Sequence, residues 1–331
     1  MAENQQNQQS AAAPPLPYFD FSTYLKERYG GPVVRIPVDI GFGCPHRQGE
    51  DGRGAGGCDF CGDDGSRAAY LGDRKTVAEQ VQAGLTLAEK RQAGEKYFLM
   101  AYLQAYTSTH DPLKQLRQKI AEVLAQAEFK IITLSTRPDC LSDEVLDYLT
   151  ELQEFYDVWV ELGIQTANDK TLAAVNRGHD FADYRTAVIA AHRRGIPVCT
   201  HLIVGLPGEG REAAISSLDR VLELGVEGLK LHPLHVVRHT RLAIDWKRGE
   251  YQPLTLDDYV TICADLVERT PPAVIYHRLT GTAPRDILLA PDWCSQKWAV
   301  LNAIEAELFR RDAHQGDRVA ALSLPKLVSI G

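Results

Sequence analysis

Along the chain, short apolar runs rich in Val, Ile and Leu alternate with longer segments whose apolar residues recur every three to four positions. Buried strands give the first pattern and amphipathic helices the second, so the alternation is that of repeated βα units. Six strands are predicted, at residues 33–39, 97–103, 130–134, 158–162, 198–204 and 228–232. The intervening helices carry start and stop signals: Thr76 with Glu79 as a capping box, Asp111 with Pro112 as N-cap and first helical residue, Gly195 and Gly225 just past two ends. Stripes such as Leu116, Ile120, Val123 and Leu124, or Ile215, Leu218, Val221 and Leu222, are what helices covering a parallel sheet require. The predicted fold is α/β, a parallel barrel, full or partial.

Boundaries follow from where this pattern stops. Residues 1–17, MAENQQNQQSAAAPPLP, are polar and read as a disordered tail, with neither the basic start nor the apolar centre of a secretory signal. The barrel is assigned to residues 18–270. From Thr255 a further helix leads through Pro271 and Pro272 to a strand-like AVIYHRL and a last helical segment at about 295–311. Residues 271–331 are read as a C-terminal extension packing on the barrel.

Composition narrows the setting. A chain of 331 residues with 44% hydrophobic and 24% charged residues is globular, and no apolar run is long enough to span a membrane. The expected location is cytoplasmic. Thiols stay reduced there, so seven cysteines point to metal binding before disulfides. A formal net charge of −8 argues against a protein held on nucleic acid by bulk electrostatics.

In a parallel barrel the chemistry sits at the carboxyl ends of the strands. The segments there are polar: QAYTSTH, STRPDC, IQTAND, GLPGE and HPLHVVRH after strands two to six. After strand one comes CPHRQGEDGRGAGGCDFC, in which Cys44 precedes the Cys58–Cys61 pair by 58 − 44 − 1 = 13 residues. The glycines let such a loop wrap three thiolates around one centre. Zinc in a closed tetrahedron needs a fourth ligand, which His46, Cys140 or a residue elsewhere could supply; a [4Fe–4S] cluster on three cysteines leaves one iron open for a small molecule. Both readings stand on the residues alone.

The interior of the pair, Asp59-Phe60, matches the C-x-aromatic-C signature of the radical S-adenosylmethionine (SAM) superfamily. The superfamily's usual first spacing is much shorter. With its long glycine-rich insertion, the chain resembles the YhcC-like radical SAM family, whose core is related to the radical SAM domain of the elongator catalytic subunit. The resemblance covers roughly residues 18–315 and is carried by IPVDIGFGCPHR, GGCDFC, LQAYTST, STRPDCL, VELGIQTAND, NRGHDF, THLIVGLPGE, KLHPLHVVRHT, GEYQPLTLDDYV and HRLTG.

The resemblance implies a partial (β/α)6 barrel of radical SAM type. It implies that Cys44, Cys58 and Cys61 ligate one [4Fe–4S] cluster and that Phe60 lies against the adenine of SAM. Where the superfamily often has Gly-Gly-Glu after strand two, this chain has Gln104-Ala-Tyr-Thr107, which makes Gln104 and Thr107 the candidates for the SAM amino group. Glu161 and Gln165 are candidates for ribose or methionine contacts, Arg177 for the SAM carboxylate, and Gly205 and Pro207 for the border of the adenine. The implied activity is cleavage of SAM to a 5′-deoxyadenosyl radical, with an electron donor such as flavodoxin or ferredoxin as partner. Cys140, Cys199, His232 and His235 are the candidates for acting on the substrate. RNA, transfer RNA included, is one substrate class and a small metabolite another. The competing expectation from a different class is a non-catalytic metal- or iron–sulfur-binding protein on the same barrel.

Overall fold

The computed structural model describes residues 15–50, 56–62, 65, 67–68, 71–73 and 76–319. Most of the expected tail, the loop glycines Gly52 and Gly54, and residues 320–331 of the expected extension lie outside the described residues. The chain enters through α1 (Phe21–Tyr29), capped by Asp20, whose carboxylate accepts from the N–H groups of Ser22 and Thr23. It then runs through β1 (Val33–Val38), the single turn α2 (Pro45–Gln48) and α3 (Val77–Gln92). The Thr76–Glu79 capping box is formed at the start of α3.

Four further units follow: β2 (Phe98–Leu103) with α4 (Leu113–Leu124); β3 (Phe129–Thr136) with α5 (Asp143–Leu152); β4 (Asp157–Gln165) with α6 (Asp169–Ala174) and α7 (Phe181–His192); β5 (Val198–Val204) with α8 (Arg211–Leu222). Pro112 rather than Asp111 occupies the cap of α4, and no side chain bonds there. Gly195 and Gly225 adopt left-handed φ of 66° and 74° just beyond α7 and α8, where a Cβ would be strained. The chain closes with β6 (Gly228–Pro233), β7 (Val236–Val237), α9 (Arg241–Lys247), α10 (Leu256–Arg269), β8 (Ile275–Arg278), β9 (Leu288–Ala290) and α11 (Lys297–Arg311).

Seven strands form one parallel sheet in the order β1-β2-β3-β4-β5-β6-β8. All six predicted strands are present. The seventh is the AVIYHRL segment, which pairs with β6 through Gly228–Ile275 and Leu229–Tyr276 and so carries the sheet past residue 270, where the sequence reading ended the barrel. The two edges, β1 and β8, do not pair, which makes this a half-barrel open along one side.

Alternation along each strand sorts the side chains. Val158, Val160 and Leu162 of β4 face outward into the main core under the helices, joined by Val300, Ile304 and Leu308 of α11. Truncating one such side chain costs about 2–5 kcal/mol. The inner face begins with an apolar floor of Met100, Ile131, Trp159 and Ile275, closed from below by Phe21 and Leu25 of α1. The chain before α1 is tied to β8 by the Tyr276 N–H donating to the Phe19 carbonyl at 2.8 Å. Above that floor the inner face turns polar. No described helix is long and apolar enough to cross a membrane.

Candidate functional site

The three-cysteine loop leaves the end of β1 and is held by the segment after α6. The Asn176 side chain donates to the Gly57 carbonyl at 2.7 Å, and the Asn176 carbonyl lies 2.7 Å from His46 Nε2. The Asp59 N–H donates to the Val175 carbonyl, and the Leu242 N–H to the Asp59 carbonyl. Gly56 and Gly57 take left-handed φ of 85° and 80° in this turn, a conformation that favours glycine. All seven cysteines are free thiols.

Two arginines aim at the sulfurs. Arg177 Nη1 is 3.3 Å from Cys58 Sγ while its Nη2 donates to the Gly163 carbonyl at 2.6 Å; Arg137 Nη1 is 3.8 Å from Cys44 Sγ. Asp139 accepts from Arg137 Nε at 2.9 Å and Nη2 at 2.6 Å, and lies 3.4 Å from His179 Nδ1, whose Nε2 is 3.2 Å from Arg177 Nε. Asp139 and His179 thus stand between the two guanidinium groups, with a looser 3.4 Å contact between them. Burial, then the charges of Arg177 and others, lowers His179 to about 4, so it stays neutral at pH 7. Burial pushes the Cys61 thiol up to about 11, with Cys58 raising it further and Arg177 and Arg47 opposing. Cations so placed favour thiolate over thiol.

The spread of the thiols decides what they fit. Four sulfurs at about 2.3 Å from one zinc stand about 3.8 Å apart. Among the described residues the one group of three metal-ligating atoms within 4.8 Å of one another is Glu161, Cys199 and His277, so the sulfurs of Cys44, Cys58 and Cys61 do not all lie that close together. Of the candidates for a fourth zinc ligand, Cys140 joins no such group, and His46 holds its Nε2 on a backbone carbonyl, as metal-ligating histidines commonly do with their second nitrogen. A multi-iron cluster is the larger object the opening suits.

Beside the loop lie the expected cofactor contacts. Thr107 is buried with its N–H donating to the Gly43 carbonyl, and its hydroxyl has no partner; Gln165 Oε1 is likewise buried without one. Unpartnered buried polar atoms of this kind mark places for a ligand. Gly163 makes room for both neighbours, since a Cβ there would sit 2.6 Å from Gln165 Nε2 and 3.2 Å from Arg177 Nη2. The Gln104 N–H donates to the Val38 carbonyl at the end of β1. Phe60 packs on a small apolar cluster that includes Val175, Leu206 and Leu242. Leu206 is flanked by Gly205 and half-buried Pro207, so the aromatic residue of the pair and the GLPGE turn share one wall. Gly205 has φ 94°, and its carbonyl accepts from the Tyr251 hydroxyl at 2.8 Å.

The Glu161 carboxylate lies inside the half-barrel, where its Oε2 accepts from Lys230 Nζ at 2.5 Å, the Tyr102 hydroxyl at 2.6 Å and Ser135 Oγ at 2.7 Å, while its Oε1 lies 3.6 Å from His277 Nδ1. Burial would raise this carboxyl, but Lys230 first, then His277 and Arg35, hold it well below its ordinary value. Lys230, Tyr102, Ser135, Arg35 and His277 had no role in the sequence reading. Their signal was present only as a charged or hydroxyl residue interrupting an apolar strand, as Lys230 does in GLKLHP.

The four candidates for substrate chemistry do not form one group. Cys140 lies near Cys44, its thiol pushed up to about 12 by burial and then by Asp139. Cys199 is deep on β5 beside Glu161 and His277. His232 packs against His201 with ring centroids 4.2 Å apart and meets Arg278 Nη1 at 3.3 Å, while His235 Nε2 lies 3.3 Å from the Gly281 carbonyl.

Residues 39–221 match the Radical SAM superfamily, and residues 226–310 match the Radical_SAM C-terminal domain. The chain belongs to the radical SAM superfamily. It is therefore a radical SAM enzyme, of a family that uses a [4Fe–4S] cluster and SAM. It is 43% identical to protein YhcC of Escherichia coli strain K12 over 310 residues, 93% of this chain and 96% of that one. It is 40% identical to protein YtqA of Bacillus subtilis strain 168, over 90% of this chain and 92% of that one. The radical SAM half-barrel also superposes on Elp3 of the archaeon Methanocaldococcus infernus with a TM-score of 0.65 at 16% identity, covering 86% of this chain and 63% of that chain.

Proposed function

We propose that the protein cleaves SAM reductively at the carboxyl end of the half-barrel and directs the resulting radical at a substrate held inside it. The observation that carries this reading is the trio Cys44, Cys58 and Cys61, brought to the carboxyl end of the half-barrel on one loop and flanked by Arg137 and Arg177. These three cysteines would hold the cluster. When bound, the cluster and SAM supply an electron to the sulfonium and a 5′-deoxyadenosyl radical that takes a hydrogen atom from the substrate.

The chain's own residues bind, orient and exclude water. Arg177 offers its guanidinium to the SAM carboxylate, a planar two-pronged fit. The unpartnered Thr107 hydroxyl and Gln165 amide receive the polar groups of the methionine and ribose, with Gln104 beside them. Phe60 and the Gly205–Pro207 turn form the apolar wall for adenine. The apolar floor under α1 keeps water from a primary carbon radical that would attack anything within reach. Cys140, Cys199, His232 and His235 are the groups proposed to act on the substrate, and a flavodoxin or ferredoxin is the proposed source of the electron. RNA is the less favoured substrate, because the chain carries a net charge of −8.

Anaerobic reconstitution with iron and sulfide tests the centre. The parent protein should become brown and hold about four irons per chain, and Ala at any one of the three cysteines should abolish this while Cys140→Ala leaves it intact. A colourless protein with stoichiometric zinc contradicts the proposal.

A further inference from the structure

We infer that the open side of the half-barrel, between the unpaired edges of β1 and β8, is a binding site for a small phosphate-bearing substrate; this rests on the radical SAM reading for what is done to the ligand. A cavity of about 680 Å³ lies there, floored by inner-face residues such as Met100 and His277 and walled by α1, α3 and α11. Small-ligand sites run to about 300–1,000 Å³, so the volume suits a metabolite and is far too small for a folded RNA.

Four cations from four different elements converge on this cavity: Arg35 of β1, Arg91 of α3, Arg278 of β8 and Lys297 of α11. They lie close enough to act on one another. Partial burial, and then the charges of Arg278, Arg35 and Arg91, lower the Lys297 ammonium from its ordinary value. Among the described residues none of the four has a carboxylate partner, and Arg278 bonds only to the neutral His232. Two carboxylates also line the cavity, Asp20 as the cap of α1 and Glu305 accepting from the Tyr18 hydroxyl at 3.1 Å, and neither is paired with one of the four cations.

Four cations without a direct ion pair outnumber the two carboxylates around one concavity, and a multiply charged anion would offset their mutual repulsion. Guanidinium forks match phosphate oxygens in pairs. Trp298 stands at the mouth, 72% exposed, with Lys297 Nζ 5.1 Å from its ring centroid, a free aromatic face next to the cations. From this mouth the line Arg278–His232–His201 crosses the inner face from β8 through β6 to β5. A ligand anchored by its phosphate at the open side would thus extend its remaining carbons into the barrel.

The test is calorimetric titration of the full chain, without SAM and at constant ionic strength, with inorganic phosphate, pyrophosphate, adenosine monophosphate and a single-stranded RNA oligonucleotide. The parent should bind pyrophosphate and adenosine monophosphate saturably, and the Arg91→Gln/Lys297→Gln variant at least tenfold more weakly. Both substituted residues are exposed, and an unchanged circular dichroism melt confirms folding. Arg35→Gln, on the inner face, gives a second and independent loss. Absence of saturable phosphate binding, equal affinity in parent and variants, or binding of the RNA alone overturns the proposal. Titration without SAM does not depend on radical chemistry, so a failure here and a failure of SAM cleavage are separate results.

Discussion

Replacing Lys230 by methionine removes the cation from a pair that is almost wholly inside the protein, with side-chain exposures of 3% for Lys230 and 5% for Glu161. The Glu161 carboxylate keeps the Tyr102 and Ser135 hydroxyls but loses the Lys230 ammonium at 2.5 Å. Breaking one side of a buried pair costs about 3–5 kcal/mol, because the remaining charge is stranded. An independent bound comes from proton uptake. If the stranded carboxyl takes a proton instead, moving from an unfolded value of about 4.3 to neutrality at pH 7 costs about 1.4 kcal/mol per pH unit, or about 3.7 kcal/mol in all.

The two routes agree, and the second fixes the pH dependence. In the parent, Glu161 is depressed when folded, so its contribution is full above the unfolded value and is lost only as pH falls through the folded one. In Lys230→Met the carboxyl is raised, so the deficit grows as pH rises from about 4.3 to 7 and is about 1 kcal/mol at pH 5. Urea unfolding of purified protein under reducing conditions, followed by circular dichroism at pH 7 and pH 5, reads both. Glu161→Gln/Lys230→Met should recover much of the loss, since the amide satisfies the two hydroxyls without charge. A single variant within about 0.5 kcal/mol of the parent at pH 7, or a double variant as unstable as the sum of the singles, would refute the reasoning.

The buried histidines set a second pH response. Burial lowers His201 to about 3 and His235 and His277 to about 4; the unfolded chain protonates each near pH 6.5, roughly the ordinary value. Their contribution is complete above that value and falls away as pH drops toward about 4, by up to about 1.4 kcal/mol per group per pH unit. The urea midpoint should therefore drop between pH 7 and pH 5, and an unchanged midpoint contradicts this. Gly205→Ala imposes a side chain at φ 94° and a Cβ 2.9 Å from Leu254 Cδ1. It should cost at least about 1–2 kcal/mol of stability and weaken SAM binding in equilibrium dialysis, and unchanged values of both would remove this turn from the site.

Much of the barrel was legible because a parallel strand buried on both faces must be a short apolar run, and each of the six carried one between capped helices. The β8 segment AVIYHRL reads as strand-like, but nothing local says that it joins the barrel sheet; that comes from pairing with β6 and from the Phe19–Tyr276 tie. β7 and β9, of two and three residues, exist by virtue of each other. The cysteine loop was legible through spacing and glycines. What holds it was less so: the bracket Arg137–Asp139–His179–Arg177 joins two segments about forty residues apart, and only the fold brings them together. The same holds for Glu161, whose partners Tyr102, Ser135 and Lys230 come from three other strands. Read in one dimension it was a free polar residue at a strand end, while the register of the sheet points it inward.

The central claim, that the three-cysteine loop serves reductive SAM chemistry, is tested most directly by SAM turnover. Anaerobically reconstituted parent protein with a strong reductant should convert SAM to 5′-deoxyadenosine and methionine, and Ala at Cys44, Cys58 or Cys61 should produce none. A parent protein that binds iron and sulfide yet yields no 5′-deoxyadenosine with any reductant would contradict the account.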